Sequence, residues 1–197
     1  MAEELLRRIL GRARGVNRTT LRKVISLCIE IAREGREGRK VGTMFVVSDA
    51  ENVLKHSKPL ILDPLFGHPD SAKHIDDANM RETIKELALL DGAFVVSDDG
   101  VCISATRYIN ASVEDIELPL GLGSRHVAAA SITKRTGSVA VVVSESSKVR
   151  VFFNGEIVAE ITPEVWLIKQ HGRRTGRSRA GQTDGGITAM ETAKKTG

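Results

Sequence analysis

No apolar run in this chain is longer than about five residues, the longest being Val139–Val143. That excludes a membrane-crossing helix, which needs about 18 or more consecutive apolar residues. Six short runs rich in Val, Ile, Phe or Ala read as strands, at 44–48, 93–97, 101–105, 139–144, 149–153 and 156–161. Asp99-Gly100 and Asn154-Gly155 fall between neighbouring runs and read as tight hairpin turns. Helical spacing marks 5–10, 21–32, about 78–90 and about 125–136. Thr19 or Thr20 would cap the second of these, and Asn79, with Glu82 three residues on, the third. Strands interleaved with helices imply an α/β fold, a mixed β-sheet flanked by helices. A length of 197 residues with 41% hydrophobic content suits a single globular domain with a sizeable core.

Charge divides the chain further. Residues 1–40 hold 11 Lys/Arg against 5 Asp/Glu, residues 41–168 hold 11 against 18, and residues 169–197 hold 7 against 2. The net +4 therefore resides at the two ends, and the middle is acidic. A basic patch for nucleic acid is not expected in the core, which argues against a nucleic-acid partner. The Arg-rich end (Arg173, Arg174, Arg177, Arg179) has no aromatic residue to stack on bases. From His171 onward Gly, Arg, Ser and Thr dominate, and a disordered tail is expected. Glu3 and Glu4 come early with no apolar region behind them, which does not suit a secretory leader, so a cytoplasmic location is expected. Cys28 and Cys102 lie in apolar-periodic segments and read as buried free thiols.

Two motifs carry chemistry. Asp91-Gly92-Ala93 stands between the apolar runs 88–90 and 94–96. A carboxylate in apolar surroundings calls for a cation, a metal or donors to compensate it. Gly92 and Ala93 leave little bulk beside it, so a flat ligand can approach the backbone. The second motif, Gly121-Leu122-Gly123-Ser124-Arg125-His126, is a glycine-rich turn opening onto a helix, with Ser124 as the expected N-cap. Arg125 and His126 then sit in a first turn whose N–H groups are already positive, which suggests an anion between them. Each motif has a plainer reading, Asp91 as a turn cap and Arg125-His126 as a solvated pair. Their combination suggests a nucleotide site that uses a metal. His68 and His74, with Asp70, Asp76 and Asp77, fit a surface loop better than a metal centre. No Gly-x-x-x-x-Gly-Lys-Ser/Thr occurs, so a P-loop is excluded.

The pairing resembles the diadenylate cyclase (DAC) domain family, and within it the archaeal stand-alone soluble branch. The family's hallmarks are Asp-Gly-Ala and, some thirty residues later, Gly-Thr-Arg-His-Arg. Here they read Asp91-Gly92-Ala93 and Gly123-Ser124-Arg125-His126-Val127. The likeness extends through Lys40 to Val47, through Lys58 to Pro64, and through the apolar run from Ser138 that ends in Ser144-Glu145. It covers roughly residues 40–160. Ser124 keeps a hydroxyl where the family has threonine, and Val127 lacks the cation of the second arginine.

The resemblance implies an α/β domain at 39–168, preceded by a helical segment at 1–38 and followed by a basic tail at 169–197. It implies synthesis of cyclic di-AMP from two ATP, each 3′-hydroxyl attacking the other's α-phosphate across a two-fold homodimer, with higher homo-oligomers also open. Asp91, Arg125 and His126 would be catalytic. Gly92, Ala93, Ile109, Gly123, Ser124, Arg125 and His126 would bind nucleotide. Asp91 and Glu145 would hold a divalent metal, Mn²⁺, Mg²⁺ or Co²⁺. The rival expectation is a non-catalytic sensor of ATP or cyclic di-AMP, favoured by Val127. A third is an RNA-binding protein acting through its basic ends.

Overall fold

In the computed structural model, which describes residues 15–112 and 116–164 together with Arg7, Ile9 and Gly11, seven strands form one mixed sheet. Helix α1 (Arg18–Glu34) comes first, then β1 (Thr43–Val47), α2 (Ala50–Lys55), β2 (Ser57–Pro59) and a short 3-10 turn at Asp70–Ala72. There follow α3 (Ala78–Leu87), β3 (Ala93–Val96), β4 (Cys102–Ile109), α4 (Ser124–Arg135), β5 (Val139–Val143), β6 (Val149–Phe153) and β7 (Glu156–Ile161). The strand order is β2-β4-β3-β1-β5-β6-β7. Only β1 and β3 run parallel; every other neighbouring pair is antiparallel.

Strand alternation sorts side chains into two cores. On one face Phe45 and Phe94 stack with ring centroids 4.7 Å apart, and Val141 and Val151 join them. Helix α1 covers that face with Leu21, Val24, Ile25 and Cys28, and α3 adds Met80 and Ile84. On the other face Met44, Val46, Val95, Ala140 and Phe152 pack against Ala129, Ala130 and Ile132 of α4 and Val53 of α2. The mixed sheet flanked by helices agrees with the expectation, and α1 belongs to the same core as the sheet. All five residues of β1 and of β5, and all four of β3, are buried. Burial on both faces explains why these strands are continuous apolar runs rather than alternating ones.

Several local expectations need correction. Asn17, not Thr19 or Thr20, caps α1, its side-chain oxygen accepting from the N–H groups of Thr19 (2.9 Å) and Thr20 (3.2 Å). Asp77, not Asn79, caps α3 by accepting from Met80 N–H at 2.9 Å. In α4 the extended cap residue is Gly123, and Ser124 is the first residue inside the helix, with no side chain capping it. Strand β4 runs four residues beyond its expected end at 105. The elements α2 and β2 were not expected at all. The helix expected at 5–10 lies largely outside the described residues, although Ile9 is helical and buried. The tail expected from His171 lies wholly outside them. Both expected turns are present, with Gly100 at φ 92° and Asn154-Gly155 at φ 50° and 81°.

Among the described residues no helix is long and apolar enough to cross a membrane.

Candidate active site

Topology brings the site together. Because β1 is parallel to β3 and antiparallel to β5, the residues before β1, before β3 and after β5 lie at one end of the sheet. Those residues are Gly42, Asp91 and Glu145. Arg125, in the first turn of α4, spans the two carboxylates. Its Nη2 donates to Asp91 Oδ1 at 2.8 Å, and its Nη1 stands 3.6 Å from Glu145 Oε1. Asp91 is not in apolar surroundings as expected: its side chain is 84% exposed. The apolar residues on its two sides, Ala88 and Phe94, turn into the core, while the carboxylate is left at the surface, where solvent and Arg125 compensate it.

Two glycines allow this convergence. A Cβ on Gly42 would lie 2.9 Å from Arg125 Nη1 and 3.2 Å from Glu145 Oε1. A Cβ on Gly92 would lie 2.6–2.8 Å from the backbone of Thr106 and Arg107, and Gly92 has φ +107°. Opposite Gly92, β4 carries a bulge: Ala93 pairs with Arg107 and Val95 with Ser104, leaving one residue on β3 facing two on β4. The Asp63 carboxylate holds that bulge, accepting from Ala105 N–H at 3.2 Å and from the Ser104 hydroxyl.

Two cavities meet at Ser124 and Arg125. The larger, about 570 Å³, is lined by Met44, Leu60, Asp91, Gly92, Arg107, Tyr108, Ile109, Ala111, Val127 and Ala128 besides those two. Its apolar walls suit a nucleobase and ribose. Arg107 is a cation on its wall, its guanidinium held in place by the Ser57 carbonyl and hydroxyl and the Leu54 carbonyl. The smaller, about 400 Å³, is lined by Gly121 to His126 on one side and by Val142 to Ser146 and Arg150 on the other. Its lining is polar and cationic.

His126 is neither the solvated residue of the plainer reading nor the cation that two bases at a helix start suggest. It is 7% exposed, tilted against the Phe152 ring, with Nε2 accepting from Arg150 Nη1 at 3.0 Å. Burial pushes its pKa below the ordinary value, and Arg150 and Arg125 push it further down; the nearby Gly123 carbonyl and Glu160 oppose this. The ring is therefore neutral at pH 7 and accepts through Nε2, leaving the proton on Nδ1. Nδ1 makes no hydrogen bond of normal geometry.

Of the expected site residues, Asp91, Gly92, Ile109, Gly123, Ser124, Arg125, His126 and Glu145 line one or both cavities. Ala93 is fully buried, in the core on the α4 side of the sheet. Gly42, Tyr108 and Arg150 escaped sequence reasoning. Arg150 had a visible signal, a cation set between two apolar residues of a strand. His68 and the acidic residues near it form no cluster of metal ligands among the described residues. His74 instead uses Nε2 to bond the Asp99 carbonyl at 2.7 Å, and a Cβ on Gly100 would touch its ring, so it braces the turn there. Cys28 and Cys102 are free and buried, and burial pushes both thiol pKa values well up.

Comparison with known proteins places this geometry. The family model described as "DisA bacterial checkpoint controller nucleotide-binding", DAC, matches residues 30–157, which include every side chain of the site. The chain belongs to the DAC family. A diadenylate cyclase of Methanocaldococcus jannaschii is 51% identical to this DAC-family chain over 150 residues, 76% of this chain and 47% of that one. A diadenylate cyclase of Haloferax volcanii is 40% identical over 147 residues, 74% of this chain and 54% of that one. The chain thus spans about half the length of these curated relatives. A crystal structure of a hypothetical membrane spanning protein from Bacillus cereus shares the fold, with TM-score 0.52 and 18% identity over 70% of this chain and 61% of that one.

Proposed function

We propose that this DAC-family protein is a diadenylate cyclase, condensing two ATP into cyclic di-AMP with release of two pyrophosphates. The observation that carries the reading is the convergence of Asp91 and Glu145 on Arg125, at the junction of an apolar cavity and a polar one. Two relatives that carry the cyclase name support it.

The two carboxylates offer hard oxygen donors at one place, and phosphate oxygens and water can complete the shell of a divalent cation. Asp91 and Glu145 would hold magnesium, manganese or cobalt there, which supplies neutralisation of phosphate charge. The nucleoside lies in the larger cavity beside Gly92 and Ile109, and the phosphates lie toward Ser124, Arg125 and the start of α4. Asp91 orients the 3′-hydroxyl and accepts its proton. Arg125 binds the phosphate under attack and draws off its charge. Neutral His126 positions Arg150 rather than acting as a cation. Catalysis of this kind is chiefly placement and charge compensation.

Attack by one nucleotide on another requires two sites facing each other, so the active form is a two-fold homodimer. Exposed large apolar side chains on the wall of the larger cavity, Leu60 (45%) and Tyr108 (47%), support a second copy on that side. On this reading residues 39–168 carry the chemistry, and α1 before them covers one face of the sheet.

The test is purified protein with ATP and Mg²⁺ or Mn²⁺, products identified by mass spectrometry. Cyclic di-AMP and pyrophosphate are expected, with turnover lower by about a hundredfold or more in Asp91→Asn while ATP still binds. Wild-type turnover in that variant would remove Asp91 from its role. Val127 on the wall of the larger cavity favours the second reading, a sensor of ATP or cyclic di-AMP. ATP bound but unconverted under each metal would decide for the sensor.

A further inference from the structure

We infer that Arg150, on the wall of the smaller cavity, is a second phosphate-binding cation of this site. The inference rests on the cyclase reading and adds a residue to it.

Arg150 lies in β6 between Val149 and Val151, both fully buried, and its own side chain is 13% exposed. A guanidinium held that far from water is costly unless it is compensated or has a use. Its Nε donates to Glu160 Oε2 at 2.8 Å and its Nη1 to His126 Nε2 at 3.0 Å. Nη2 has no hydrogen-bond partner among the described residues. Glu160 also accepts from Lys148 Nζ at 2.7 Å, so one carboxylate serves two cations. With His126 neutral, the cluster keeps a net positive charge.

That charge faces a cavity already suited to an anion. Arg125, the Gly121 and Gly123 backbone and the uncapped first turn of α4 form the opposite wall. His126, 7% exposed, lines the same cavity, and its Nδ1 has no hydrogen bond of normal geometry among the described residues. Val127 lines the other cavity and supplies no cation. The fork geometry of Arg150 suits two phosphate oxygens at once.

The experiment is calorimetric titration of the full chain with inorganic tripolyphosphate and, separately, with AMP. Arg150→Ala should lower tripolyphosphate affinity about tenfold or more, the scale of one lost charge-assisted hydrogen bond, and leave AMP affinity within about twofold. Arg150→Lys should recover part of the loss. Glu160→Gln releases the guanidinium and should raise tripolyphosphate affinity. Unchanged tripolyphosphate affinity in Arg150→Ala, or AMP affinity falling with it, would overturn the assignment. If Arg150→Ala does not fold, unchanged or weaker tripolyphosphate affinity in Glu160→Gln would overturn it instead. Tripolyphosphate bound through Arg150 by a wild type that makes no cyclic di-AMP would refute the cyclase reading alone.

Discussion

Gly42→Ala should separate the chemistry of this protein from its stability. Gly42 does not occupy the left-handed region, so its backbone accepts alanine without strain. The added methyl would meet Arg125 Nη1 at 2.9 Å, against ordinary contact from 3.4 Å, so the guanidinium must yield by about half an ångström. Glu145 Oε1 at 3.2 Å must also give a little. Both neighbours are the ends of flexible side chains, 32% and 71% exposed, so the fold need not move. Replacing glycine at an unstrained position gains up to about 1 kcal/mol from the unfolded chain, which offsets the contact. The reaction has no such freedom, since misplacement by about 1 Å can cost about a hundredfold. On the proposed cyclase reading, turnover to cyclic di-AMP should therefore fall about tenfold to a hundredfold, with the melting temperature within a few degrees of wild type. The assay is product formation by mass spectrometry beside a thermal melt of the same preparation. Full turnover would refute the claim that Arg125 and Glu145 act from their observed positions. A large drop in melting temperature would refute the claim that the crowding is confined to side chains.

Gly92→Ala is the contrasting case. Its φ of +107° and approach of 2.6 Å to the Thr106 carbonyl carbon leave nothing flexible to move, so it should cost about 2 kcal/mol or more in denaturant unfolding. Stability within about 0.5 kcal/mol of wild type would show that the bulge of β4 can shift. His126 has a pKa below its ordinary value in the folded chain, so between the two values the unfolded chain holds more protons. Stability should then fall as pH drops through about 6.5 and level off below the folded value. The component should vanish in His126→Gln; an unaltered pH profile in that variant would assign it elsewhere. Both thiols should resist alkylation in the native protein at neutral pH and react once it is denatured, because burial raises their pKa values. Rapid native labelling, read by mass spectrometry, would contradict their placement in the core.

Strand positions and the mixed α/β class were legible because apolar runs shorter than a helix and turns such as Asn154-Gly155 are local signals. Helix caps were less so: Asn17, Asp77 and Gly123 each lie one to three residues before the residue expected, where several polar side chains could serve. The short α2 and β2 carry too few residues for periodicity to show. In the site, Asp91, Ser124, Arg125 and Glu145 stood out as motif residues. The neutrality of His126 did not, because it follows from burial against Phe152 and from Arg150, 24 positions away in sequence. Gly42 was hidden for the same reason, since its crowding arises only when three strands and a helix meet.

The neighbours of β1 bear on how the molecule is built. Its partners β3 and β5 follow it by about 50 and about 100 residues, and the β1–β5 pairing is the most non-local in the sheet, so the largest loop-closure entropy falls on the central strands. Hairpins such as β5-β6 and β6-β7 can zip early, but β1 cannot find both neighbours until residues 139–143 have emerged. Gly42, Asp91 and Glu145 meet only at that step. A nascent chain that has passed β4 would hold Asp91 but neither Arg125 nor Glu145, so the site is completed among the last events of folding.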